Sequence, residues 1–115
     1  MYLKVTFLFS LLALFLVATA AKTMDFPCIH GSGDIVKEVR EVDNFNKIVL
    51  KGSGNIFLKQ GNTQEVKVET DDNIMEHIIT EVKGSTLIIS PEKAICPEKE
   101  NYYITVTDFE GVKIK

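Results

Sequence analysis

Tryptophan is absent from this sequence, arginine occurs once (Arg40), and 115 residues hold only three prolines, two cysteines and two histidines. A nucleic-acid footprint needs a basic stripe or patch. One arginine and lysines scattered among acids do not provide it. The same balance makes anionic membrane surfaces poor partners. No long apolar run occurs beyond residue 21, so the rest of the chain is expected to be soluble, with no stable membrane span.

The opening residues do carry such a run. One cation, Lys4, precedes VTFLFSLLALFLVATAA, 17 residues that fall short of the about 20 a spanning helix needs. Ala18-Thr19-Ala20 satisfies the small-x-small cleavage rule, with Thr19 and Ala21 as a second choice. Residues 1–20 therefore read as a signal peptide, 21–30 as an N-terminal linker and 31–115 as one β domain. The expected destination is the periplasm, the outer-membrane surface or the extracellular space. Beyond the signal, twelve basic side chains face sixteen acidic ones, a net charge of −4 that is spread along the chain.

Cys28 and Cys96 both lie past the cleavage site. An even pair in an exported protein is compatible with a disulfide, which over so long a loop contributes about 4 kcal/mol in the chain-entropy description. Two separate thiols are equally compatible. Cys28 does not fit lipid attachment, because Asp25-Phe26-Pro27 precedes it.

From Ile35 onward the apolar period is two. Ile48 and Leu50 share a face in KIVLK, as do Ile56 and Leu58 in NIFLK, with Phe57 opposite. Val66 and Val68, Leu87 and Ile89, and the trio Tyr102, Ile104 and Val106 repeat the pattern. Val112 and Ile114 close it against two lysines. β-Branched residues dominate these runs, as half-buried strands favour. One stretch departs: in DDNIMEHIITEV the apolar residues Ile74, Met75, Ile78, Ile79 and Val82 follow a helical stripe. It predicts a short helical turn around 72–78, capped by Asp71 or Asp72, leading into a strand that hairpins at Lys83-Gly84.

Two short segments repeat. Gly31-Ser32-Gly33-Asp34-Ile35 is echoed by Gly52-Ser53-Gly54-Asn55-Ile56, 21 residues later. A phosphate loop of the G-x-G-x-x-G type needs a third glycine and a following helix. Both tetrads run into β-patterned residues instead, which excludes that reading. Glycine supplies φ freedom and a missing Cβ at a sharp bend, and serine and Asn or Asp bond the local backbone. These are corners between strands, and their spacing suits one coil of a solenoid. A longer echo joins Phe45-x-x-Ile48-x-Leu50-Lys51 to Phe109-x-x-Val112-x-Ile114-Lys115, each with an acid upstream (Asp43, Asp108). A third Gly-Ser-Gly would be expected after Lys115, so the chain reads as a shortened member of a longer repeating architecture.

The run GSGDIVKEVREVDNFNKIVLKGSGNIFLKQG, followed by VKVETDDNIMEHIITEVKGSTLIIS, resembles the bacterial head GIN domain family of auto-transporter adhesins. The likeness covers roughly residues 28–115. It implies an exported, all-β, partial parallel β-helix or β-solenoid with one short helical turn, similar to pectin-lyase-type folds. The family has no catalytic residues to carry over.

The residues themselves offer little chemistry. Asp71, Asp72 and Glu76 with His77 are the candidates for a carbohydrate-active enzyme, which needs two carboxyl groups at a controlled separation. Neighbours at a helix start more commonly cap it and face solvent. Cys28-Ile29-His30 with Cys96 matches no zinc spacing and lacks a fourth ligand. Asp71-Asp72-Asn73 lacks the alternating oxygens and closing glutamate of a calcium loop. Tyr102-Tyr103, the only adjacent aromatic pair after the signal, places one ring outward, where it can meet a glycan. The reading is a non-catalytic, cofactor-free surface or secreted binding module whose partner is a protein or a glycan. An apolar strand end at Val112–Lys115 invites self-association. The rival readings are the enzyme and a non-functional fragment of a longer β-helix protein.

Overall fold

Period-two patterning becomes two four-stranded sheets closing on one core. The computed structural model describes residues 27–115; the segment read as a signal peptide and residues 21–26 of the linker lie outside the described residues. In chain order the elements are β1 (Ile29–His30), β2 (Ile35–Val39), β3 (Lys47–Leu50), β4 (Asn55–Gln60), β5 (Glu65–Asp71), α1 (Asp72–Met75), β6 (Ile78–Lys83), β7 (Thr86–Pro91), β8 (Ile95–Cys96), β9 (Glu100–Val106) and β10 (Gly111–Ile114). The first large sheet has the order β2-β5-β9-β4 and the second β10-β3-β7-β6, while β1 and β8 form a small ladder of their own. This is an all-β domain with one short helix and no closed barrel.

Successive residues of a strand point to opposite faces, so each run delivers its alternate residues inward. Val66, Val68, Tyr102, Ile104 and Val106 from the first sheet meet Ile48, Leu50, Leu87 and Ile89 from the second, all at 1% exposure or less. Phe45, Ile74, Met75 and Ile78 complete the core. The predicted helical turn is a single turn. Ile74 and Met75 are its buried residues, and it ends where β-branched Ile78 and Ile79 enter the β6–β7 ladder opposite Pro91 and Ser90. That hairpin turns at Gly84, whose φ is +59°.

The single arginine braces this bend. The Arg40 guanidinium donates to the carbonyls of Met75 (2.9 Å) and Ile78 (2.8 Å), on either side of the α1–β6 turn. Hydrogen bonds from a charged donor to part-buried carbonyls contribute more than neutral ones. Arg40→Ala is expected to cost about 2 kcal/mol and to lower Tm by roughly 10 °C in a thermal melt followed by circular dichroism.

The two sheets mix parallel and antiparallel neighbours. β3 pairs parallel with β7 and with β10, and β4 pairs parallel with β9. β5 runs antiparallel to both β2 and β9, and β6 antiparallel to β7. The long echo in the sequence is thus a ladder: Val112 stands beside Ile48, and Ile114 beside Leu50. The 21-residue spacing of the two Gly-Ser-Gly corners is not a coil length. The strands that follow them, β2 and β4, lie at opposite edges of one sheet. The parallel neighbours are instead Ile48 and Leu87, or Asn55 and Asn101, separations of 39 and 46 residues. Short turn motifs recur wherever a bend must be tight, whether or not the bends stack.

Candidate functional site

Each Gly-Ser-Gly corner is folded over a buried acid. At the first, Asp71 is fully buried. Its carboxylate accepts the backbone N–H of Gly33 (2.9 Å) through one oxygen and those of Glu98 (2.8 Å) and Lys99 (3.4 Å) through the other. A Cβ on Gly31 would overlap the Asp71 carboxyl group, so this glycine is required by close approach. Gly33, at φ +88°, is required by backbone conformation. The next two residues hold the same corner from outside. Ser32 donates its hydroxyl to Asp72 (2.5 Å) and its N–H to the Asn73 side chain (2.9 Å), and the Asn73 amide donates to the His30 carbonyl (2.8 Å).

The expected cap on the helical turn is therefore corrected. Asp71 occupies the N-cap position but makes no side-chain capping bond. Its carboxylate turns inward to the corner and the loop before β9. Burial pushes this carboxyl up, yet the N–H donors of Gly33, Glu98 and Lys99, with its own, outweigh burial and hold it below the usual aspartate value of 3.8.

The second corner repeats the device with a different balance. Ser53 donates to Glu100 (3.4 Å), and the buried Tyr102 hydroxyl donates to the other Glu100 oxygen (2.5 Å). A Cβ on Gly54, whose φ is +122°, would sit 2.8 Å from the Tyr102 ring and 3.1 Å from Glu100. No backbone N–H reaches this carboxyl among the described bonds, so burial pushes it above the ordinary 4.5, against the two hydroxyl donors. A raised carboxyl contributes stability that is complete below the unfolded value and lost as pH rises through the folded one. Glu100→Gln is expected to raise Tm at pH 7 and to lose that advantage below about pH 4.5, measured by melts across pH.

The outer face of the β2-β5-β9-β4 sheet carries the exposed chemistry. Phe57 on β4 and Tyr103 on β9 are register partners, and their rings stack at 5.0 Å between centroids with 14° between planes. Lys37 on β2 places its ammonium 5.2 Å from the centre of the Tyr103 ring, within cation–π range. Beside this stack, the Glu69 carboxylate accepts the Tyr103 hydroxyl (2.9 Å) and the Asn101 amide (3.0 Å), and the Asn55 amide donates to Asn101 (3.1 Å). The Asn101 bond lowers the Glu69 carboxyl; burial opposes it, and Tyr103, Lys99 and Lys37 tip the balance below the ordinary range. Phe57 remains 51% exposed. Lys37, Lys59 and Lys67 with Phe57, Tyr103 and Thr105 line a depression of about 310 Å³ on this face.

The remaining candidates are brought together differently. Cys28 and Cys96 are joined by a disulfide, with Cα atoms 5.8 Å apart. It locks β1 to β8, where His30 stands beside Cys96. The His30 imidazole lies 4.0 Å from the Cys28 sulfur, but bonded sulfurs supply no thiolate to a metal. Asp71 is committed to backbone donors, and Asp72 to Ser32. His77 pairs with Glu92 (2.8 Å) and Glu76 (3.5 Å). Tyr102 is the inward member of the tyrosine pair and Tyr103 the half-buried outward one. Sequence reasoning did not find the acids under the corners or the Phe57–Tyr103 stack. A buried acid has no period, and the stacked rings are 46 residues apart.

An all-β domain of two sheets, cornered by glycines and displaying an aromatic–cation ladder, is the class of protein described by these features. The profile of the family described as "Putative auto-transporter adhesin, head GIN domain" matches residues 44–115, and the chain belongs to that family. No curated protein matches the chain. Among solved structures, it is similar to a putative adhesin from Bacteroides fragilis (28% identity, TM-score 0.69), over 76% of this chain and 42% of that one. A putative lipid binding protein from Parabacteroides distasonis shares the fold at 19% identity and TM-score 0.69, over 76% and 40% of the two chains. So does a putative adhesin from Parabacteroides merdae, at 16% identity and TM-score 0.65, over 77% and 38%. This chain spans about two fifths of the length of these structures.

Proposed function

We propose that this protein is an exported binding module of adhesin type, which holds a protein or glycan at a bacterial surface or outside the cell without turning it over. The observation that carries the reading is the exposed ladder Lys37–Tyr103–Phe57 on the outer face of the β2-β5-β9-β4 sheet. Stacked rings with a cation and flanking amides offer apolar contact and hydrogen bonds together. The buried acid among the hydrolase candidates is spent on the fold, since Asp71 serves backbone N–H groups, and Asp72 is bonded to Ser32.

In this reading residues 1–20 are the export signal and the rungs formed by β3–β4 and β7–β9 belong to a β-solenoid. Their parallel pairing supports that reading. No cofactor and no nucleic acid enter it. Self-association through the strand end at Val112–Lys115 belongs to the same reading.

The test is capture of the labelled chain on glycan arrays and on immobilised extracellular-matrix proteins. Phe57→Ala is expected to weaken capture about tenfold with little change in Tm, because the ring is half exposed. Capture that ignores both Phe57→Ala and Lys37→Ala contradicts the reading. So does polysaccharide cleavage by the purified chain that Glu76→Gln abolishes.

A further inference from the structure

The small β1–β8 ladder gathers three soft donors on one face. Cys28, just ahead of β1, and His30 on it share a side by alternation, with Ile29 between them turned toward the core. The parallel register then sets Cys96 beside His30 and Ile95 beside Ile29. The two sulfurs and the imidazole consequently lie within 4.8 Å of one another, and His30 Nε2 stands 4.0 Å from Cys28 Sγ. That sulfur is the one polar partner of the His30 ring among the described residues. His30 and Cys96 are exposed and Cys28 is half-buried, so a reductant or an ion reaches all three.

The ladder does not depend on its covalent bond alone. The Ile29 N–H donates to the Ala94 carbonyl and the Gly31 N–H to that of Cys96, both at 3.0 Å. The Asn73 amide holds the His30 carbonyl from α1 (2.8 Å), and Ile29 and Ile95 pack against the core. Once the sulfurs are parted, these contacts keep the donors on neighbouring strands, the cysteine Cα atoms starting 5.8 Å apart.

We propose that Cys28, His30 and Cys96 form a redox-gated site for one soft metal ion, Cu(I), shut by the disulfide and opened by its reduction. A dithiol reductant opens it. One reductant thiolate attacks a sulfur, the Cys28–Cys96 bond breaks, and a second exchange leaves both cysteines as thiols and the reductant as its own disulfide. Two electrons and two protons pass to the chain. Metal binding then releases both thiol protons to solvent, and Cu(I) takes two thiolates and the neutral imidazole. The donor set chooses the ion. Thiolates suit Cu(I), which accepts trigonal coordination, whereas a structural zinc takes four protein ligands. No fourth His, Cys, Asp or Glu joins this group among the described residues. The inference goes beyond the binding-module reading and does not rest on it.

The experiment uses the full chain, recovered as the cell produces it, reduced with a dithiol and freed of it without oxygen. Cu(I) is titrated in competition with bathocuproine disulfonate, a coloured Cu(I) chelator. The reduced chain is expected to take up one Cu(I); the oxidised chain, and Cys28→Ser with Cys96→Ser, none. His30→Ala is expected to weaken uptake at least about tenfold, the loss seen when even a residue behind the ligands is removed. X-ray absorption at the copper edge should show two sulfurs and one nitrogen. Because the ion ties β1 to β8 again, it should raise the Tm of the reduced chain and slow amide exchange at Gly33, with neither effect in the double serine variant. Uptake that ignores His30→Ala, a linear two-sulfur site, or one Cu(I) shared by two chains overturns the inference. So does a reduced chain, folded or unfolded, whose Tm and Gly33 exchange ignore the ion. Bound Zn(II) that Cu(I) does not displace overturns it as well.

Discussion

Gly31→Ala and Asp71→Ala are each expected to destabilise the domain by on the order of 3 kcal/mol, a large share of the roughly 5–15 kcal/mol that holds a domain of ordinary stability folded. The two substitutions attack one contact from its two sides. An alanine at 31 brings a methyl group into the Asp71 carboxyl, and because Asp71 is fully buried it has nowhere to retreat. An alanine at 71 removes the acceptor that serves the N–H groups of Gly33, Glu98 and Lys99, breaking three part-buried hydrogen bonds to a charged acceptor at once. The double variant should therefore cost clearly less than the sum of the singles. Urea unfolding of the three variants checks this. The pH dependence has a definite sign. Asp71 is held below its ordinary 3.8 in the folded state, so its contribution is complete above about pH 4 and is lost as pH falls through the folded value.

Reduction of the Cys28–Cys96 bond, or Cys28→Ser with Cys96→Ser, is expected to cost about 4 kcal/mol through the restored freedom of the unfolded chain. The bond spans 68 residues, which hold most of the strands. It also ties β1, a two-residue strand, to the β8 loop, and β1 leads directly into the first corner. Loss of the bond should therefore loosen Gly31–Gly33 more than the second corner. Hydrogen exchange at Gly33 against Gly54 under reducing conditions measures the difference. Equal protection at both would show that β1 holds its place without the covalent link.

Much of this architecture is legible in the residues because a half-buried strand writes its period into the chain. Val66/Val68, Leu87/Ile89 and Tyr102/Ile104/Val106 are assigned inward by alternation and lie inward. The Phe45 and Phe109 echo marks two strands that are neighbours, since in-register pairing favours similar side chains at matched positions. Other features left no local trace. The 21-residue recurrence reflects two bends with the same steric demand at opposite sheet edges, not stacking. Asp71-Asp72-Asn73 resembles a helix cap in sequence. Its true partners, Gly31 to Gly33, lie about 40 residues upstream, and only the chain path reveals them. The apolar strand end at Val112–Lys115, read from the sequence as inviting self-association, does leave Val112 and Ile114 exposed. Their pattern matches that of a buried strand, and what they lack is a facing neighbour.

The claim on which this account turns is that the glycine corners are clasps over buried acids, with opposite electrical consequences at the two corners. A carbon-13 NMR titration of the side-chain carboxyl groups measures both in one experiment. The account predicts that Asp71 titrates below 3.8 and Glu100 above 4.5. Ordinary values at both positions would mean that neither corner encloses its acid, and would contradict it.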